Sequence, residues 1–462
     1  MLSLSPDIHE AALPLRTPMS QRSFLTHFAR ENLDVLNLRR FFGDYRTFAF
    51  DPAYYHLGIG EIAGITDDTT WQRIMQEFYG DPRLISRATM YSGTRGEREA
   101  NQAMAEHLGE RLGRPEFDEQ HVVPYDGGHN AVNGIMRACV APLGSAKDER
   151  QYVLLPTPCY PYFSTILNQH SGVLAYLAYS AEELVQGIET LINPRIGVVL
   201  INTPHNPTGY SLTEDHVARI NHAVEPYDCV LAVDMVYTMN ALDTQAIRTL
   251  GGFDPERTIY IDSFSKKFGL PGFRIGFAAC INPELIEVLR MMKAAECVST
   301  SNVKLLFAAH LLQHHMDLAE STATEIRRRY CIFREAIAGV EAYGVELPPA
   351  TGNANAFYLP LFLDRLLERT NLHADAFATI CYQQYQLEVV AGTRMYPPLG
   401  LPAGQLQLHH GTAHISTPGP VVYTPDFAAH KHPFIRVSCG VEPRMVEAAA
   451  RLRQACADVF TQ

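Results

Sequence analysis

No stretch of this sequence is an uninterrupted apolar run approaching the ~18 residues that span a bilayer, so no transmembrane helix is expected. Met1 to Leu15 lack a basic segment followed by an apolar one, and no secretory signal is read there. Positive charge is scarce: 38 Lys and Arg stand against 50 Asp and Glu, a formal net charge of −12. That balance argues against nonspecific nucleic-acid binding and against attraction to acidic membranes. C-x-x-C pairs are missing, although nine cysteines run from Cys139 to Cys456. An odd number of scattered cysteines in a long chain reads as free thiols in a reducing cytoplasm, packed as small hydrophobes, not as a disulfide framework. Internal repeats and low-complexity segments are absent as well.

What is present fits a soluble globular enzyme. The 462 residues are 47% hydrophobic and 19% charged, enough for two or three domains at ~100–200 residues each. Residues 1–55 read as an N-terminal arm, helical around Ser23–Phe42. From residue 56 the pattern alternates. Met104, Leu108 and Leu112 recur every four residues and predict a helix over Ala100–Leu112. Short apolar runs bounded by turn residues predict strands at His121–Pro124, Tyr152–Pro156, Ile196–Asn202, Cys229–Asp234 and Thr258–Ser263. Alternation of this kind predicts an α/β fold, a mostly parallel sheet covered by helices, over residues 56–320. The chain reads as helical from Asn302 to about Gly344, with Arg327–Arg329 as a solvated helix face. A smaller α/β unit is expected over 321–462. It contains a long Pro-, Gly- and His-rich stretch, Tyr396–His432, read as a solvated lid. Its histidines, His409, His410, His414, His430 and His432, match no clear ligand spacing, and no metal site is expected there.

The strongest local signal is Ile259–Phe277, IYIDSFSKKFGLPGFRIGF. A short apolar strand runs into Ser263-Phe264-Ser265-Lys266, followed by a turn with Gly269, Pro271 and Gly272, then Arg274 and Gly276. A partly desolvated lysine can act as an amine nucleophile and proton carrier. Hydroxyls and a guanidinium nearby can hold a phosphate dianion, and small residues let the backbone approach a ligand.

This segment resembles the class I/II aminotransferases, fold-type I enzymes that depend on pyridoxal 5′-phosphate (PLP), whose signature is S-x-S-K, a small-residue turn and G-x-R-x-G. The resemblance places Lys266 at the Schiff-base position and Ser263, Ser265 and Arg274 on the phosphate. Lys267, one place outside the pattern, is read as a solvated neighbour. In Ile196–Gly209, IGVVLINTPHNPTG, Asn206 matches the asparagine that bonds the cofactor's phenolic oxygen. In Cys229–Tyr237, CVLAVDMVY, Asp234 matches the partner of the pyridine nitrogen and Tyr237 the tyrosine that shares the phenolic oxygen. Read alone, Asn206 is a turn asparagine and Asp234 a strand-end cap; both together, in this order before Lys266, fit the family.

In YDGGHNAVNGIMR, a Gly-Gly turn enters a helix, a ready anion site. Gly128 and His129 are therefore candidate backbone donors to phosphate, although His129 by itself also reads as a structural histidine. Tyr160 matches an aromatic that stacks on the cofactor ring, with a core tyrosine as its other reading. Tyr91, in MYSGTRG, resembles a tyrosine that reaches the phosphate of a partner subunit, and Ser301 is placed likewise. In HPFIRVSCG, Arg436 takes the position that clamps the substrate α-carboxylate, and Gly60, in LGIGE, the segment that closes over substrate. The resemblance covers residues 55–445.

It implies transfer of an amino group between an L-amino acid and a 2-oxo acid, in a homodimer with shared sites. No arginine dedicated to an acidic side chain is evident, so an aspartate-like substrate is not favoured. Two other readings remain: β- or γ-elimination, replacement or oxidation on the same fold, and a non-catalytic PLP-binding sensor. The arm is too short for the DNA-binding domain that such a sensor would carry.

Overall fold

The computed structural model describes residues 51–163, 171–349, 355–397, 403–409, 412–425 and 427–461. All fall within the compact unit Asp44–Gln462. The arm, with its expected helix at Ser23–Phe42, lies outside the described residues, as does His410.

Among the described residues the main sheet has ten strands. In chain order they are β1 (Val122–Tyr125), β2 (Tyr152–Thr157), β3 (Gly172–Leu177), β4 (Ile196–Asn202), β5 (Val230–Asp234), β6 (Thr258–Ser263) and β7 (Gly276–Ala279), then β10 (Ala403–His409), β11 (Thr412–Thr417) and β12 (Val421–Tyr423). Across the sheet the order is β11-β10-β12-β3-β2-β4-β5-β6-β7-β1. Only β7 and β11 run against the others. Every residue of β4 is buried. That explains why its sequence is a continuous apolar run: helices cover both faces of a parallel sheet. The five strands expected from the sequence are all present, within one or two residues of their expected ends.

Local chemistry sets the helix ends. Helix α1 (Asp68–Tyr79) is capped by Asp67, whose carboxylate accepts from Thr70 N. The helix expected over Ala100–Leu112 is α2 (Arg98–Leu112), and it stops at Gly113, in the left-handed region at φ 70°. Next come α3 (Gly128–Cys139), α4 (Ala181–Leu191) and α5 (Glu214–Val224), then the short α6 (Phe264–Lys267), α7 (Pro283–Cys297), α8 (Asn302–His314) and α9 (Met316–Ala336). Capping boxes start α4, through Ser180 and Glu183, and α5, through Thr213 and His216.

The second sheet is antiparallel, with β13 (Phe434–Ser438) between β8 (Tyr358–Phe362) and β9 (Val390–Ala391). It packs with α9, α10 (Ala374–Tyr385) and α11 (Met445–Phe460) around its own core, including Phe333, Phe357, Phe377 and Leu452. A larger core follows the ten-stranded sheet, with Leu154, Val199, Val233 and Phe277 among its members.

Two expectations are corrected here. Tyr396–His432 is not a solvated lid: β10, β11 and β12 extend the main sheet, with β12 parallel to β3. Ala413, Ile415, Val421 and Val422 are buried there, so the segment covers what would be an open sheet edge. The Arg327–Arg329 run is not wholly solvated either. Arg328 is exposed and pairs with Glu325, but Arg329 is 2% exposed and donates from Nη1 to Gly440 O at 3.1 Å. All nine cysteines are free, and no described helix is long and apolar enough to cross a membrane.

Candidate active site

Parallel strands bring their carboxyl ends to one edge, where loops and helix starts collect polar groups. Asp234 is the last residue of β5, in register with Asn202 at the end of β4. Asn206 follows β4, Tyr160 follows β2, and Ser263 ends β6 three residues before Lys266, which lies on α6. Gly127 and Gly128 link β1 to α3.

At the start of α3, Gly127 has φ 88° and, among the described residues, no side chain caps the helix. Its first N–H groups and the positive end of the helix dipole are therefore available to an anion. Crowding makes glycine necessary here. A Cβ on Gly127 would lie 2.6 Å from Arg274 Nη2, and one on Gly276 would lie 2.6 Å from Gly128 N. Arg274 itself is held at φ 55° and donates from Nη1 to Pro271 O at 2.9 Å. Ser263 Oγ donates to Ser265 Oγ at 3.1 Å and accepts from Ser265 N at 3.2 Å. The result is a cradle of backbone N–H groups, two hydroxyls and a guanidinium. His129 is half-buried, edge-on to Tyr162 and Tyr160, with ring centroids 5.7 and 6.5 Å away. Burial and the nearby Arg274 charge hold its imidazole below the usual range.

Lys266 projects from α6 and donates from Nζ to Gly60 O. Desolvation lowers the proton affinity of this amine. Asp234 is 7% exposed, and burial pushes its carboxyl up to about 7, with Asp262 adding to the shift. A carboxyl raised on folding contributes stability that is full below its ordinary value of 3.8 and lost as pH rises through about 7. Asp234→Asn apo-protein is therefore expected to melt higher than wild-type apo-protein above pH 7, with the gap closing towards pH 4. Thermal melts across that pH range check this, and a cationic partner for Asp234 should reverse the order.

Arg436, on β13, is 4% exposed. Its Nη1 donates to Asn206 Oδ1 at 3.0 Å and its Nη2 to Gly58 O at 2.9 Å. Its Nε is buried without a hydrogen-bond partner among the described residues. Asn206 Nδ2 lies 3.4 Å from Tyr237 Oη, which donates to Tyr358 Oη at 3.2 Å. The Arg436 guanidinium sits 4.0 Å from the centre of the Tyr358 ring, within cation–π range. Tyr358 was not singled out from the sequence. It sits in an ordinary apolar strand, and only the pairing of β8 with β13 brings it here. Asn240 was missed too; its Nδ2 donates to Lys266 O at 3.3 Å.

Lys267 is not a solvated neighbour. It is 1% exposed, pairs with Asp262 Oδ2, and lies 2.6 Å from His107 Nε2. Tyr91 is 84% exposed and Ser301 is exposed. Their segments adjoin: Ser92 Oγ donates to Thr300 O at 3.1 Å, and Asn302 Nδ2 to Met90 O at 3.1 Å.

The family model for aminotransferases of class I and II matches residues 54–400. The chain belongs to that family. Family members depend on PLP, and the cradle, the buried carboxylate and the desolvated lysine described above fit that cofactor's phosphate, ring nitrogen and aldehyde. Among curated relatives, the putative aminotransferase YugH of Bacillus subtilis is 23% identical over 256 residues, covering 54% of this chain and 64% of that one. A rice 1-aminocyclopropane-1-carboxylate synthase 5 is 27% identical over 288 residues, 58% of this chain and 52% of that one. The chain thus spans between half and two-thirds of the length of these relatives. Aromatic-amino-acid aminotransferase 2 of Thermococcus litoralis is 25% identical over 73% of this chain and 82% of its own. The structure of an aromatic aminotransferase from Pyrococcus horikoshii superposes with a TM-score of 0.67 at 21% identity, covering 92% of this chain and 98% of that one. A Thermus thermophilus aspartate aminotransferase double mutant gives 0.66 at 18% identity, over 94% and 98%. These class I/II aminotransferases share the α/β fold-type I architecture.

Proposed function

We propose that this protein is an aminotransferase that exchanges an amino group between an L-amino acid and a 2-oxo acid. One observation carries the reading: Lys266 Nζ and Arg436 Nη2 donate to the carbonyls of Gly60 and Gly58, two residues apart on one strip of backbone. An α-amino acid carries an amine and a carboxylate on one carbon. A substrate taking the place of those two carbonyls would meet the guanidinium with its carboxylate and the lysine with its α-carbon.

In this reading the cradle of Gly128 and His129 N–H groups, Ser263, Ser265 and Arg274 holds the cofactor phosphate. Asp234 holds the ring nitrogen, Asn206 and Tyr237 the phenolic oxygen, and Tyr160 a ring face. When bound, PLP supplies an aldehyde for amines and a ring that accepts the electron pair left at the α-carbon. Lys266, with its lowered proton affinity, takes the α-proton on Nζ and returns it. Tyr358, beneath the Arg436 guanidinium, keeps the clamp in place.

The test is to mix holoprotein with single amino acids and then with a 2-oxo acid, following the cofactor spectrum. Conversion by the first and reversal by the second supports the reading; no change with any amino acid sinks it. Arg436→Gln is expected to lower kcat/KM by roughly 10–100-fold, since a hydrogen-bonded charge contributes ~1.5–3 kcal/mol. The loss should appear mainly in KM, by steady-state kinetics on an amino acid and on its decarboxylated amine, for which the variant should cost little.

A second reading, elimination or replacement on the same fold, is supported by the 1-aminocyclopropane-1-carboxylate synthases among the relatives. Release of a substrate leaving group without reversal by a 2-oxo acid would select it. A homodimer belongs to the proposal as well. Tyr91 and Ser301 are exposed on adjoining segments, where a partner subunit would be needed to give them a role. A cytoplasmic location is also part of the proposal.

A further inference from the structure

Away from the Lys266 site, one residue from α1 and two from the α8–α9 junction converge. Glu77 lies in the last turn of α1, His310 on α8, and His315 between α8 and α9. Their ligand atoms all lie within 4.8 Å of one another. His310 Nε2 is 3.2 Å from His315 Nε2, which is 3.3 Å from Glu77 Oε2. We propose that Glu77, His310 and His315 form a binding site for a divalent transition metal of the zinc class.

The spacing is the first argument. Nitrogen and oxygen ligands at ~2.0–2.1 Å in a tetrahedron lie about 3.3 Å from each other. The two closest separations here match that edge without movement of either ring. Ligand chemistry is the second. Two imidazoles and a carboxylate are a set that such ions take, leaving a fourth position for water.

The third argument is rigidity. The His315 side chain is 8% exposed, and its ring centroid is 4.9 Å from that of His310. Phe78 packs on His310 from the α1 side at 5.7 Å and on Phe307 at 5.0 Å. Glu77 Oε1 accepts from Arg73 Nη1 at 3.0 Å, which steers Oε2 towards the histidines. Two ring nitrogens and a carboxylate oxygen thus face one another, and a metal ion among them would take a lone pair from each once the third separation, within 4.8 Å, closes towards that edge.

The site would clasp α1 to the α8–α9 junction. Helix α1 begins shortly after the Gly58–Glu61 strip that borders Lys266 and Arg436, so the clasp fixes the helix from which that strip departs. The role is structural, and the experiment reads binding rather than turnover.

Untagged, metal-stripped holoprotein is titrated with Co(II), followed by visible absorption, and with Zn(II), followed by calorimetry and thermal melting. Wild-type protein is expected to bind one equivalent, give the visible bands of low-coordinate cobalt, and melt higher with Zn(II). Glu77→Gln and His310→Ala change groups on or near the surface. Each is expected to raise Kd by more than the ~10–100-fold that loss of a supporting partner causes, and to abolish the thermal gain, while the far-ultraviolet circular dichroism and the bound PLP absorption stay as in wild type. No stoichiometric binding by wild type would overturn the proposal. So would binding that survives both substitutions, because the ion would then sit elsewhere, for example on the histidines of Tyr396–His432.

Discussion

Lys266→Met is expected to lower kcat for amino-group exchange by on the order of 10⁴-fold, the upper end for loss of one positioned proton carrier. The same amine is also the covalent anchor in the proposed chemistry. Stability should move the other way. Burial lowers the lysine's proton affinity in the folded chain. Its contribution is therefore complete only above the ordinary value of 10.5 and is lost as pH falls. At neutral pH wild type carries that penalty and the methionine variant does not. Apo-protein carrying Lys266→Met should melt at or above the wild-type temperature. Single-turnover kinetics paired with thermal melts checks both halves; a variant that is inactive because it is unfolded would contradict them.

Lys267→Met, one residue along, is expected to do the reverse. Lys267 is paired with Asp262, itself 1% exposed, and sits against buried His107. Removing the ammonium leaves a buried carboxylate without its cation, a loss that costs about 3–5 kcal/mol. Denaturant unfolding of the apo-protein should show that loss. Folded molecules should keep their turnover, because the Lys267 amine points away from Lys266 into the α2 side of the sheet. His107 adds acid sensitivity. Desolvation and the neighbouring Lys267 hold its imidazole well below 6.5 in the folded chain, so its share of stability is full above 6.5 and falls as pH drops. Replacing Lys267 together with Asp262 by apolar residues should recover much of the loss, since a buried pair is worth little against good packing.

The contrast between these lysines shows where the sequence was legible. Strand ends, the Gly-Gly turn and the lysine segment are local, and the chain order Asn206, Asp234, Lys266 reflects consecutive parallel strands ending at one edge. Burial of Lys267 was not legible, because it depends on His107, 160 residues away on α2. Tyr358 had no local mark for the same reason: its place beside Arg436 comes from the register of β8 on β13.

The Tyr396–His432 segment did carry a signal that its many Pro, Gly and His residues obscured. Leu406 and Leu408 alternate with polar residues in AGQLQLH, as Ala413 and Ile415 do in TAHIST, the period-2 pattern of paired strands. What no local pattern could supply was their destination, the edge of the main sheet beside β12.

The most direct measurement is to load the protein with PLP, reduce it with borohydride, digest it and locate the pyridoxyl mass by peptide sequencing. The account predicts the label on Lys266 in wild type and its loss from that peptide in Lys266→Met, with Lys267 unmodified in both. A label on Lys267, or on any other lysine with Lys266 untouched, would contradict it.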